Sequence, residues 1–446
     1  MECQQPATEK RKFTVAGVIQ RYLAEFTALH GHEFSNNQLR VLRKLAYCRT
    51  PEAGKHAWIC KRCHQACANY NACRNRHCTS CGNAKRREWL DKVKAWVLPC
   101  NYWHIVFTLP HEFNDLVAAN RKAIYGLVFL CGTQAMLRIA KECWGLVPSI
   151  ASTLHTWGQL LLRHIHSHNV VSCGGLTKDG KWVDIAPDDK RFSGPVLAER
   201  FRSIFLAELR KLFIKGKLKL PSEMVFIWFP DEFDAWLAPI AAKDWNVMVK
   251  QSTAGSSGPS VAIQYLANYV AGMAIGDSRI LDDDGKQVTF SAKDYRKDGA
   301  VETPKIDGVE FVYRLALHIM PPYCRRVRYA GLLSLRKREK LLATCRELLK
   351  DRLPPDTVPP SVPVNAEDED EQDDETGDDV AADPVEWESK PLKKCLRCGS
   401  TDLEYIEYYW PHQHTWRIPS RVPPCKRSSV SAQLQFAFAA GTYHPP

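Results

Sequence analysis

The chain has no run of about 18 apolar residues, the length a helix needs to cross a bilayer, so no membrane partner is expected. Its first residues, Met1-Glu2-Cys3-Gln4-Gln5, have neither the charged nor the apolar region of a secretion signal. Without such a signal, 17 cysteines read as thiols of a reducing compartment, available to metals rather than paired in disulfides. Basic residues are missing from one long stretch. Between Glu367 and Glu388 there are 13 acidic side chains and no Lys or Arg. The net charge is +11; with that tract set aside, 61 Lys and Arg face 37 Asp and Glu, a balance of +24. Charge of that sign and size points to a polyanion partner more than to a merely solvated surface.

A length of 446 residues exceeds one core and predicts two to four domains. Val15, Ile19, Tyr22, Phe26 and Leu29 recur at helical spacing, and Ser35 or Asn36 can cap a second helix, so residues 14–48 read as helical. Residues 56–82 are cysteine-rich and irregular. A basic helix over about 84–98 carries Lys85, Arg86, Arg87, Lys92 and Lys94. Strands are expected at Trp103–Leu109, 164–171, Glu223–Phe229, Gln287–Ser291 and Phe311–Ile319, with helices over roughly 113–145 and 193–215. Gly255-Ser256-Ser257-Gly258-Pro259 starts a further helix. Leu353–Glu388 is Pro-rich, then acidic, and nearly without large apolar residues, the composition of a disordered linker. The expected organisation is therefore a helical, zinc-binding, DNA-binding region at 1–100, a catalytic domain at 101–345, a linker at 346–390 and a small Cys-containing piece at 391–446.

Two C-x-x-C pairs, Cys60/Cys63 and Cys78/Cys81, suit a four-thiolate structural zinc site. His64, Cys67, Cys73 and His77 crowd the same loop and leave a swapped ligand or a second ion open. Such a site has no open position for substrate, so its expected role is to hold the basic helix, with Lys85, Arg86, Arg87 and Lys92, against DNA. Cys395/Cys398 is a weaker pair. It has no matching C-x-x-C, only His412, His414 and Cys425 downstream.

His164, His166 and His168 alternate, so one strand face can aim several imidazoles at a divalent metal, read as Mg or Mn, with an oxygen ligand from elsewhere completing the site. Imidazole itself suits manganese, cobalt or zinc better than magnesium. Tyr265 and Tyr269 sit four apart, on one face of a helix. Tyrosines at that spacing are ordinarily a half-buried stripe. Beside a metal strand they acquire a mechanism: one phenol takes the 5′ phosphate of a nicked strand, and the second attacks another strand before the first is released.

These stretches resemble a known family. Asn75-Arg76-His77-Cys78-Thr79-Ser80-Cys81-Gly82, Val106-Phe107-Thr108-Leu109-Pro110-His111-Glu112, Leu154-His155-Thr156-Trp157-Gly158-Gln159, the triple histidine and Tyr265-Leu266-Ala267-Asn268-Tyr269 are similar, in order, to two-tyrosine HUH transposases of the insertion-sequence ninety-one type. The resemblance covers about residues 14–345. The family signature is His-hydrophobic-His before an apolar strand. His166 and His168 match by position, since Asn169-Val170-Val171 continues the strand, but Ser167 departs from it; His164 is then a third or flanking contact. The resemblance implies an α+β fold, with an antiparallel sheet flanked by helices, histidines on a central strand and the tyrosine helix facing them. It also implies rolling-circle-like transposition of single-stranded or locally melted element ends in a bacterial cytoplasm, at the nucleoid. A replication initiator of the same chemistry, or a zinc-dependent DNA-binding protein without catalysis, remains the alternative.

Overall fold

The computed structural model describes residues 12–82, 89, 93–251, 273–294, 297, 299–334, 338–352, 395 and 397–409. In chain order the elements are α1 (Val15–His30), α2 (Asn36–Ala46), β1 (Lys55–Cys60), β2 (Ala66–Tyr70), β3 (Tyr102–Thr108), α3 (Asn114–Ala119), α4 (Arg121–Trp144), β4 (Leu146–Trp157), β5 (Arg163–Thr177) and β6 (Trp182–Asp184). They continue with α5 (Gly194–Ile214), α6 (Pro230–Ala242), β7 (Val247–Gln251), β8 (Ile280–Asp283), β9 (Gln287–Phe290), β10 (Ala292–Asp294), β11 (Ala300–Glu302), β12 (Lys305–Asp307), α7 (Gly308–Leu317), β13 (Val327–Gly331), α8 (Arg338–Leu348) and β14 (Leu403–Tyr409).

Contacts divide the described chain into two units. The first takes in residues 47–73 together with 395 and 397–409. Here the cysteine-rich stretch expected to be irregular contains two strands. β1 lies at the centre of a three-stranded antiparallel sheet, between β14 and β2. The expected helical region at 1–100 does not stay together. α1 and α2 belong to the second unit, where Tyr22 Oη donates to Asp283 Oδ1 at 2.7 Å and Gln38 Nε2 to the Ala316 carbonyl at 2.9 Å. α2 opens on a reciprocal cap, with Gln38 N–H meeting Ser35 Oγ at 3.4 Å and Ser35 N–H meeting Gln38 Oε1 at 3.2 Å.

The second unit is built on a six-stranded sheet in the order β13-β4-β5-β3-β7, with β6 pairing the end of β5. Its strand pairs are all antiparallel. Alternation sorts the side chains into two faces. Trp103, Ile105 and Phe107 of β3, Ile150 and Leu154 of β4, and Ile165 and Val171 of β5 enter one buried core with Ile124, Val128 and Met136 of α4 and Phe201 and Phe205 of α5. The long apolar α4 therefore spends its hydrophobic residues on this core. It ends where Gly145 takes the left-handed conformation, φ +65°. On the opposite face Tyr102, Ala151 and Val170 pack with Leu342, Cys345 and Leu349 around α8. β5 runs through Gly174-Gly175 instead of stopping there: a Cβ on Gly174 would lie 2.7 Å from the Val183 carbonyl oxygen, so glycine lets three strands approach. The expected α+β architecture, an antiparallel sheet flanked by helices, is present.

Two expected strands are not strands. Residues Phe311–Leu317 lie in α7, because Asp307 caps its first turn by accepting from Val309 N–H at 2.8 Å and Glu310 N–H at 3.1 Å. Glu223–Phe229 forms a short 3-10 turn running up to α6, and Val225, Phe226, Trp228 and Phe229 are exposed. The tyrosine helix, the Leu353–Glu388 linker and Lys85, Arg86, Arg87 and Lys92 lie outside the described residues.

Candidate metal centre

Strand register assembles the site. β5 presents His164, His166 and His168 on the face turned away from α4 and α5. β4 pairs with β5 so that His155 stands directly opposite His166 and Thr153 opposite His168. Directly opposed residues of antiparallel strands share a face, so His155 joins the two β5 histidines. Their ligand-capable nitrogens lie within 4.8 Å of one another. Ring centroids are 5.3 Å apart for His155 and His166, 4.6 Å for His155 and His168, and 4.8 Å for His166 and His168.

Neighbouring groups set the tautomers. A carbonyl oxygen only accepts, so the 2.8 Å contact between His166 Nδ1 and the His164 carbonyl places the proton on Nδ1 and leaves Nε2 with its lone pair. His168 Nδ1 lies 2.9 Å from Nε2 of His104, a buried β3 residue diagonal to it in the sheet. With His168 as donor, its Nε2 carries the lone pair that can bind a cation, and His104 orients the ring. Burial lowers the His166 pKa to about 3 and that of His104 to about 4. Burial, then the neighbouring His155 and His166, pushes His168 far below the ordinary imidazole range. At neutral pH these rings are uncharged, the state in which imidazole binds a metal. His155 stacks on Trp157 at 4.5 Å between centroids, and the Arg326 guanidinium lies 5.6 Å from the other ring's centroid.

His164 takes the flanking one of its two expected places, its ring 4.8 Å from that of His166 between centroids. Its side chain is exposed and stands outside the three-histidine group, and its carbonyl oxygen accepts from His166. The third group brought to the two histidines is an imidazole, and among the described residues no carboxylate joins the set. Ser167, the departure from the family signature, faces the core side and is buried. The Asn169 amide donates to its hydroxyl at 3.1 Å, which makes a polar residue tolerable there. His155 carries no local spacing signal in the sequence, because its place beside His166 comes from pairing across strands.

The cysteines are arranged differently from the expected set. Cys60 and Cys63, in the first unit, meet Cys395 and Cys398. Cys78 and Cys81 belong to the second unit, where Cys81 N–H donates to Cys78 Sγ at 3.5 Å. His77 is also committed there, its Nε2 accepting from Met320 N–H at 3.2 Å.

Comparison with known proteins covers about three quarters of the chain. Residues 150–340 match a putative transposase family, and residues 18–109 match a transposase zinc-binding domain. A putative transposase, y4qJ, of Sinorhizobium fredii is 35% identical over 345 residues, covering 76% of this chain and 85% of that protein. The chain belongs to the insertion-sequence ninety-one type transposases. The transposase for insertion sequence element IS801 of Pseudomonas savastanoi pv. phaseolicola is 25% identical over 323 residues, 72% of this chain and 76% of that protein. The three-histidine group lies inside the matched transposase region, and DNA is the partner of a transposase.

Proposed function

We propose that this transposase nicks and transfers single DNA strands through 5′-phosphotyrosine intermediates, at a divalent metal held by His155, His166 and His168. The observation that carries the reading is the convergence of three imidazoles from two paired strands, within 4.8 Å. Three protein ligands on one side of an ion leave positions for phosphate oxygens. The all-nitrogen set favours manganese, cobalt or zinc over magnesium, which prefers oxygen. Such an ion, when bound, polarises a phosphate oxygen and orients the phosphorus.

The chain's own residues supply the rest. A phenol oxygen of Tyr265 or Tyr269 gives up its proton and attacks phosphorus, the O–P bond to tyrosine forms as the P–O3′ bond breaks, and the 3′ oxygen leaves and takes up a proton to become a free hydroxyl. The phosphoester is conserved, so the second strand can be joined without ATP. Lys85, Arg86, Arg87 and Lys92 bind the phosphate backbone of single-stranded or locally melted element ends in the bacterial cytoplasm. The test is cleavage of a labelled single-stranded end. Replacing His166 and His168 with Ala is expected to abolish cleavage and leave DNA binding largely intact. Cleavage that survives in the double variant, or in excess chelator, rejects the metal assignment. Binding without cleavage in the wild-type protein across these metals would instead support the non-catalytic alternative.

A further inference from the structure

The four cysteines of the first unit form two copies of one local structure. In the turn after β1, Cys60 N–H donates to the Gln65 carbonyl at 3.0 Å and His64 N–H to the Cys60 carbonyl at 2.8 Å. Before β14, Cys395 N–H donates to the Ser400 carbonyl at 2.7 Å and Gly399 N–H to the Cys395 carbonyl at 2.9 Å. The offsets are identical. So is the position of the left-handed residue, His64 at φ +53° and Gly399 at φ +71°. A non-glycine residue in that region is uncommon and costs free energy, so the turn at His64 needs support from elsewhere.

Both turns also aim backbone N–H groups at sulfur. Those of Cys63 and Arg62 point at Cys60, and those of Cys398 and Arg397 at Cys395. Across the pair, Cys60 Sγ lies 3.6 Å from Cys398 Sγ, and Cys63 Sγ lies 3.6 Å from Cys395 Sγ. All four sulfurs fall within 4.8 Å of one another. Four thiolates about 2.3 Å from a tetrahedral zinc stand about 3.8 Å apart, whereas a disulfide would bring sulfurs to about 2.0 Å. Lys61, Arg62 and Arg397 sit within the two turns, where positive charge offsets the net charge of −2 that four thiolates give a divalent ion.

We infer that Cys60, Cys63, Cys395 and Cys398 hold one tetrahedral zinc ion, so that two of its four ligands come from a part of the chain well beyond the matched zinc-binding domain, which ends at residue 109. β14 follows the second turn directly and pairs with β1 from Cys60↔Leu403 to Lys55↔Tyr409. Metal and sheet therefore close the same seam between sequence segments 338 residues apart at Cys60 and Cys398. The site is structural, because its four thiolates leave no position for substrate. It is independent of the tyrosine chemistry.

The experiment is zinc content and cysteine protection in the full chain. Cys395→Ser with Cys398→Ser is expected to remove one equivalent of zinc per chain and to make Cys60 and Cys63 alkylate readily. Cys78→Ser with Cys81→Ser is expected to leave Cys60, Cys63, Cys395 and Cys398 protected. Should the first variant fail to fold, the wild-type protein still decides the matter. Its four thiols are expected to resist alkylation as zinc-loaded protein and to become reactive together on chelation. Unchanged zinc in the first variant, or free reaction of Cys395 and Cys398 in zinc-loaded wild type, overturns the assignment.

Discussion

At the scale of single residues, the side chains proposed to hold the metal differ from those that position them. His155→Ala is expected to abolish both metal binding and nicking, measured by titration with Mn²⁺ and by cleavage of a labelled single strand. His164→Ala is expected to keep most of its activity, since its exposed ring only packs against His166, at 4.8 Å between centroids, and the carbonyl that orients His166 is backbone. His104 acts through His168, and loss of such a supporting partner typically costs about 10–100-fold in metal affinity. His104→Ala is expected to fall in that range, with partial rescue by Gln, whose amide oxygen can still accept a hydrogen bond. Equal activity of His104→Ala and wild type at limiting metal would remove its positioning role. His166 and His168 were legible in the sequence because alternation is a local pattern. His155 was not, since its role comes from the β4–β5 register, which brings it opposite His166.

Among the elements, the helices with caps and regular apolar spacing and the histidine strand agree with expectation, and the departures have local causes. Val309, Phe311 and Val312 are strand-favouring residues, but Asp307 caps a helix before them, and they bury with Ala316 along it. Asp307→Ala is expected to lower unfolding free energy by about 1 kcal/mol, the usual cost of losing such a cap. A urea midpoint identical to wild type would contradict that. The contact between α1 and β8 should weigh more. Tyr22 Oη and Arg21 Nη1 both donate to Asp283 Oδ1, at 2.7 and 3.0 Å, and the Asp283 side chain is 4% exposed. Tyr22→Phe leaves a buried carboxylate short of a donor, at an expected cost of about 1–3 kcal/mol. The apolar run Glu223–Phe229 read as a strand because its composition is that of one, yet it finds no neighbouring strand and turns at the surface.

For the whole molecule, charge and motif order were the legible features, and long-range closure was not. Cys60 and Cys63 announced a zinc knuckle, but the other half, Cys395 and Cys398, is separated from them by the catalytic region and the acidic tract, and no spacing rule spans that distance. The acidic tract carries its own prediction. Deleting residues 353–388 removes the negative charge that we propose competes with DNA for the basic residues. The deletion is expected to tighten binding to random DNA, most at low salt; affinity unchanged at every salt concentration would remove that role. The central claim, strand transfer through paired tyrosines at the histidine centre, meets its most direct test in the covalent adduct. Wild-type protein, labelled single-stranded end DNA and Mn²⁺ are expected to yield a denaturant-resistant protein–DNA band. Either single variant, Tyr265→Phe or Tyr269→Phe, is expected to retain some adduct, because its neighbour reaches the same phosphate. The double Phe variant is expected to give none, and an adduct persisting in it would place the nucleophile elsewhere.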